Sequence, residues 1–121
     1  MRVLLDENIP HGLRGILVEH DVFTVAYLNW TGMKNGKLLN AAEEAGFNVL
    51  ITSDQSIPYQ QNMTGRMLAM VMLSTSDWNL LKFAGPQIAE AIATAQPGSF
   101  SRVDCGTFSR RQPKPEGSKP S

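Results

Sequence analysis

The sequence predicts a single α/β domain built on a mainly parallel β-sheet. Short apolar runs alternate along the chain with segments in which apolar residues recur at helical spacing. The apolar runs are continuous rather than alternating, which is typical of parallel strands covered on both faces. The chain has 121 residues, of which 42% are hydrophobic and 18% charged. That length and composition suit one globular domain with its own core.

The first half of the chain predicts three strands and two helices. Residues 2–5 form a short apolar run, which predicts a buried first strand. Pro10 suits the first turn of a helix, and apolar residues follow it at helical spacing. The β-branched and aromatic run 22–26 predicts the second strand. We expect the second helix over 37–45, closed by a glycine, and the third strand over 47–52.

The second half predicts two further strands around a helical segment that a proline divides. The polar stretch 53–66 leads to a fourth strand over 67–73. Apolar residues at helical spacing follow over 80–95, where Pro86 either interrupts the helix or starts its second part. Residues 100–103 predict a last strand at the edge of the sheet.

The end of the chain differs from the rest in pattern and in charge. Residues 105–121 contain prolines and glycines without apolar spacing, so we expect a domain over 1–104 and a disordered basic tail. From Gly106 onward four basic residues accompany one acidic residue, whereas the first 105 residues carry 7 basic and 10 acidic side chains. An acidic body disfavours nonspecific nucleic-acid binding, but it is compatible with a carboxylate cluster that needs a cation.

Composition also predicts the compartment. The single cysteine, Cys105, excludes an intramolecular disulfide and cysteine-rich metal sites. No apolar stretch approaches the roughly 20 residues that span a bilayer, and acidic Asp6 and Glu7 interrupt any signal-peptide pattern. We therefore expect a protein of the reducing cytoplasm that has no membrane partner.

Acidic residues follow two of the predicted strands at the points where they end. Asp6 comes directly after the first strand, and Asp54 comes two residues after the third. Ligands of parallel sheets bind outside the carboxyl ends of the strands, so these carboxylates meet if the two strands are neighbours. Close carboxylates repel each other unless a proton or a cation lies between them. With no His or Cys cluster nearby, the expected cation is Mg²⁺ or Mn²⁺.

The same acids also have a structural interpretation. An acidic residue after a strand is commonly a helix N-cap or a turn former, and Asp54 before Gln55 and Ser56 fits that role. Spacing alone favours this interpretation over a metal site.

Three groups of residues resemble the PIN-like proteins found among bacterial toxin–antitoxin toxins. Residues 4–10 (Leu-Leu-Asp-Glu-Asn-Ile-Pro) resemble the opening motif of that family. Residues 35–39 and 45–55 resemble its second conserved block, and residues 59–62 with Gly65 and Arg66 are similar to a subgroup.

The resemblance covers roughly residues 1–103 and implies a compact PIN-like three-layer domain. It implies an endoribonuclease that depends on Mg²⁺ or Mn²⁺, hydrolyses RNA phosphodiesters and acts as the toxin of a toxin–antitoxin system. The implied partners are an RNA substrate and a cognate antitoxin protein. Homodimers are usual among similar proteins, so a second copy of the chain is a further expected partner.

The resemblance assigns roles to individual residues. Asp6 matches the metal-binding acid of the first strand, and Asp54 matches the acid of the Thr-x-Asp pattern. Glu7 is expected to act with them in catalysis. Asn35, where many relatives have an aspartate, is the third expected metal ligand through its amide oxygen. The expected substrate-binding residues are polar or aromatic: Asn8, Lys34, Tyr59, Gln60 and Arg66.

Three questions stay open. For residues 59–66, a substrate-facing loop with Arg66 on phosphate and Tyr59 on a base competes with an ordered loop whose amides bond the backbone. Asn35 and Lys37 stand where many relatives have acids, so the site lacks one or two carboxylates. The second hypothesis is therefore a catalytically depleted PIN-like protein that binds a partner protein, or holds RNA without cutting it. A hydrolase of small phosphate esters is a third.

Overall fold

The computed structural model describes residues 1–33, 35–55 and 63–106. The strands are β1 (Arg2–Leu5), β2 (Asp21–Thr24), β3 (Val49–Thr52), β4 (Ala69–Leu73) and β5 (Phe100–Val103). The helices are α1 (Leu13–Ile16), α2 (Asn35–Glu44), α3 (Trp78–Leu81) and α4 (Gly85–Ala93). Within the described ranges, no helix has both the length and the apolar character needed to cross a membrane.

The strands form one parallel sheet in the order β2-β1-β3-β4-β5. Each connection between parallel strands must cross a face of the sheet, and the connections cover both faces. The protein is therefore an α/β domain of three layers with a parallel central sheet, as the sequence predicts. All five strands end at one edge, which we call the carboxyl edge, and begin at the opposite amino edge.

Two apolar clusters fill the spaces between the layers. On the back face, side chains such as Val3, Leu5 and Ile51 pack with the buried residues of α1, α3 and α4. On the front face, the alternate residues of the strands pack with α2. The strand residues of this second cluster are Leu4, Leu50, Met70 and Met72, and those of α2 are Leu38, Leu39 and Ala42. Burial on both faces explains why the inner strands β3 and β4 are almost entirely apolar, whereas the edge strands β2 and β5 carry polar residues.

The predicted elements are confirmed, with shifts at several ends. Pro86 lies in the first turn of α4 and separates it from α3, so the divided helix is confirmed. β2 ends at Thr24, before the predicted end at residue 26, because the Thr24 hydroxyl accepts a hydrogen bond from the Tyr27 N–H in a turn. β4 begins at Ala69 rather than at Met67, whose N–H donates to a carboxylate of α2 instead of to the sheet.

The packed part of the chain continues past the predicted boundary at residue 104. Cys105 is 7% exposed and belongs to the back-face cluster. Its N–H donates to the Ser74 hydroxyl over 2.8 Å, which fixes the segment after β5 against the segment after β4. Residues 107–121, which carry the rest of the predicted tail, lie outside the described residues.

Arg2 joins three elements at the amino edge. Its guanidinium carbon lies 4.9 Å from the centre of the Phe23 ring and 4.7 Å from that of Phe47. The same side chain donates to the carbonyl of Ala45, just after α2, over 3.3 Å. This contact ties β1 to β2 and to the end of α2, and a half-buried cation between two rings is stabilising.

We expect Arg2→Gln to lower the free energy of unfolding by about 1–2 kcal/mol, because the shorter neutral side chain loses both ring contacts and the carbonyl bond. Arg14→Gln is the matched control, since Arg14 is exposed on α1, and its effect should stay within about 0.5 kcal/mol. Urea denaturation of both variants measures the difference. Equal stabilities would show that the Arg2 contacts contribute nothing.

Candidate active site at the carboxyl edge

Asp6 and Asp54 reach the same edge because β1 and β3 are neighbours in the sheet. The Asp6 N–H donates to the Ile51 carbonyl over 2.9 Å, which extends the pairing one residue beyond β1. Asp54 follows two residues after the end of β3, and its charge acts on the Asp6 carboxylate. The condition under which the two acids meet, that the first and third strands are neighbours, is thus fulfilled, and the two acids lie within electrostatic range of each other.

Thr52 connects the two acids through a single hydroxyl group. Its side chain is fully buried, and its hydroxyl donates to Asp6 Oδ2 over 2.7 Å. The hydroxyl oxygen of Thr52 also accepts a hydrogen bond of 3.2 Å from the N–H of Asp54. One side chain thus orients the Asp6 carboxylate and the backbone that carries Asp54. Sequence reasoning used Thr52 only as part of the Thr-x-Asp pattern and gave it no role; a hydroxyl residue at a buried strand end, two residues before an acid, is the signal that indicates it.

Burial dominates the electrostatics of Asp6. Only 8% of the residue is exposed, and this desolvation raises the pKa of the Asp6 carboxyl above its ordinary value. Hydrogen bonds from Thr52 and from the Glu7 N–H, the latter of 2.8 Å, act in the opposite direction. The negative charges of Glu7 and Asp54 raise the pKa further. A positive partner, either a proton or a cation, would therefore stabilise this edge of the sheet.

The side chains of Glu7 and Asn8 accept hydrogen bonds from the backbone of the loops around these acids. Glu7 Oε1 accepts the N–H of Gly32 over 3.1 Å, which ties the opening motif to the loop that leads to α2. Gly32 has a positive φ of 89°, a conformation that glycine adopts without strain. Asn8 Oδ1 accepts the N–H of Ser53 over 3.3 Å. Both side chains are at the predicted edge, and their catalytic and substrate-binding roles stay predictions.

Several predicted residues fall outside what the structure describes. Asn35 is the first residue of α2, but its side chain is not among the described parts. Lys34, Tyr59 and Gln60 also lie outside the described residues. Their proposed roles in metal and substrate binding therefore stay predictions from the sequence.

Arg66 lies at the other edge of the sheet from Asp6 and Asp54. It precedes β4, and its guanidinium forms a salt bridge of 3.0 Å with Glu43 near the end of α2. The same nitrogen donates to Asn40 Oδ1 over 2.9 Å. The structure does not bring this predicted phosphate-binding residue to the carboxylates, because Arg66 precedes β4 whereas Asp54 follows the parallel strand β3.

The donor atoms at the carboxyl edge suit a hard cation. Across the described ranges, no group of three or more His, Cys, Asp or Glu side chains is arranged to hold a metal ion. An ion here would instead rest on the carboxylates of Asp6 and Asp54, on neutral oxygens and on water. Mg²⁺ is commonly held by one or two carboxylates and keeps several of its waters, so the residues present fit this ion.

The chain matches no family model, no curated protein and no solved structure.

The raised pKa of Asp6 has a measurable consequence for stability. In the folded state the pKa of Asp6 is raised above its ordinary value of 3.8. The folded state therefore holds this proton more tightly than the unfolded chain does, and stability is lost as the pH rises through the pKa of the folded state. We expect Asp6→Asn to escape that cost. The free energy of unfolding of the variant relative to the wild type should therefore increase from pH 4 towards pH 7. Urea denaturation at several pH values, without divalent ions, measures this difference. A difference that is flat or falls with pH would contradict the assignment.

Proposed function

We propose that this protein is an endoribonuclease that depends on Mg²⁺ or Mn²⁺ and hydrolyses RNA phosphodiesters. The observation that carries the proposal is the buried Asp6 carboxylate, held beside Asp54 at the carboxyl ends of adjacent strands. An ionised carboxylate in such a place destabilises the fold unless it serves a bound group. A divalent cation satisfies it, and the carboxyl edge is where α/β sheets bind their ligands.

Each side chain of the edge has a distinct part in this proposal. Asp6 and Asp54 would hold the ion, which when bound orients water and offsets the negative charge that develops at phosphorus. Thr52 fixes the direction of the Asp6 carboxylate through its hydroxyl. Glu7 is exposed at the same edge, where it can accept a proton from water, while its Oε1 holds the loop before α2. Asn8 keeps the backbone before Asp54 in place.

The choice of RNA, and of a toxin role, follows from the resemblance of the opening motif and of residues 45–55 to PIN-like toxins. The proposal accordingly includes a cognate antitoxin protein as a partner, self-association into a homodimer, and a cytoplasmic location. The second hypothesis, a depleted binding protein, differs at one point that can be measured: it requires no cation at the carboxyl edge.

We expect Mn²⁺ to stabilise the wild type and to leave Asp54→Asn unchanged. A ligand that binds only the folded state adds about 2.7 kcal/mol to the free energy of unfolding at about 100 times its Kd. Glu44→Gln is the matched control, because it removes one exposed carboxylate at the opposite end of α2 and should keep the full response. Urea denaturation over a range of Mn²⁺ concentrations measures all three proteins.

The cleavage of single-stranded RNA by the same proteins completes the test. Mn²⁺ stabilisation together with cleavage that both Asp6→Asn and Asp54→Asn abolish supports the proposal. If millimolar Mn²⁺ does not stabilise the wild type and the wild type leaves RNA intact, the depleted binding protein is favoured. Cleavage by Asp6→Asn at the full rate would refute the assignment of the site.

A further inference from the structure

A row of four side chains runs from Asp6 across the front face to a guanidinium. Leu5 pairs with Ile51, which puts Asp6 level with Thr52. Thr52 pairs with Met72, and Met72 pairs with Arg102. In each strand these residues come two positions after a front-face residue, so their side chains point to the same face. The row therefore has a carboxylate on β1, a buried methionine in the middle and an arginine on β5.

Gln55 links this arginine to the proposed active site. It follows Asp54 directly, and its Nε2 donates to the Leu73 carbonyl over 2.7 Å and to the Ser53 carbonyl over 3.3 Å. Its Oε1 accepts a hydrogen bond of 3.1 Å from a terminal nitrogen of Arg102. One amide side chain thus fastens the loop of Asp54 to β4 and orients the guanidinium of β5.

Arg102 keeps donor groups available to a ligand. It is exposed, it lies 5.5 Å from the centre of the Phe100 ring, and it forms no salt bridge with any described residue. Guanidinium has five N–H groups, and Gln55 takes one of them. A cavity of about 190 Å³ adjoins it, lined by Gln55, Met72, Ser74, Arg102, Val103 and Asp104.

Asp104 is the acidic residue that lines this cavity, and it is already engaged. Its Oδ1 accepts the N–H of Gly106 over 2.9 Å. The carboxylate thus bonds its own loop, while the guanidinium of Arg102 is held by a neutral amide and forms no ion pair within the described residues. A positive group in this setting favours an anionic ligand, and arginine binds phosphate oxygens in a planar, two-pronged geometry.

We propose that Arg102, positioned by Gln55, binds a phosphate of the RNA that neighbours the one cleaved at Asp6 and Asp54. β5 is two strands from β3, about 10 Å at the usual strand spacing. Measured between backbones, this separation suits a strand of RNA that crosses the carboxyl edge along the row, with one phosphate at the carboxylates and a neighbouring phosphate at Arg102. The inference rests on the proposed ribonuclease function and supplies the phosphate-binding residue that Arg66 does not.

Salt dependence of RNA binding tests this role directly. The probe is a fluorescent single-stranded RNA of mixed sequence, about 12 nucleotides long, and its anisotropy is measured in EDTA so that no cleavage occurs. Each phosphate contact contributes about 0.7 to the slope of log K against log salt concentration for a single strand. We expect Arg102→Gln to reduce the slope by about 0.7 and Arg102→Lys to retain it. Gln55→Ala should weaken binding with the slope kept, because the charge stays and only its orientation is lost.

Arg14→Gln is the matched control, since Arg14 is exposed on α1, on the back face, and should bind as the wild type does. Wild-type affinity and slope in Arg102→Gln would overturn the inference, even if the protein cuts RNA. A lower slope in Arg102→Gln supports it even if Mn²⁺ causes no cleavage, in which case the ribonuclease proposal alone fails. No RNA binding by the wild type would overturn the inference, and with it the assignment of RNA as the substrate.

Discussion

The burial of one ionisable group at the end of β1 determines the arrangement around it. Asp6 continues the pairing of β1, whose last three residues are fully buried, and only 8% of Asp6 is itself exposed. Thr52 and the Glu7 N–H supply the hydrogen bonds that a buried carboxylate needs. The neighbouring acids work against its ionisation. Apolar packing would favour a different residue at this position, and the proposed cation site gives a reason for the burial of Asp6.

The two edges of the sheet show different chemistry. At the amino edge, the two arginines make their contacts within the protein: Arg2 lies against two aromatic rings, although its buried Nε has no hydrogen-bond partner, and Arg66 pairs with Glu43. At the carboxyl edge, Asp6 and Arg102 are oriented by neutral partners, Thr52 and Gln55. Neutral partners fix direction without cancelling charge. A carboxyl edge with an acidic end and a basic end is what a site for a cation and a phosphate chain requires.

The sequence predicted a parallel sheet covered on both faces, because its apolar runs are continuous. It also singled out Asp6 and Asp54, because acids at the ends of parallel strands meet wherever those strands pair. The rest depended on register. That Thr52 serves both acids, and that Arg102 lies in the row of Asp6, follows from pairings between β1, β3, β4 and β5 that no local pattern encodes. Arg66 was expected at the site from the resemblance of its segment to PIN-like proteins, but it precedes β4 and therefore lies at the amino edge.

The cation site at the carboxyl edge can be tested by NMR, by following the chemical shift of the Asp6 carboxyl carbon against pH with and without Mg²⁺. Without the ion, the pKa of Asp6 should lie above its ordinary value, because burial and the adjacent charges disfavour ionisation. With Mg²⁺ the pKa should fall, and Asp54→Asn should remove that response. A pKa of Asp6 that is not raised, or one that is the same with and without Mg²⁺, would contradict a cation site at this edge.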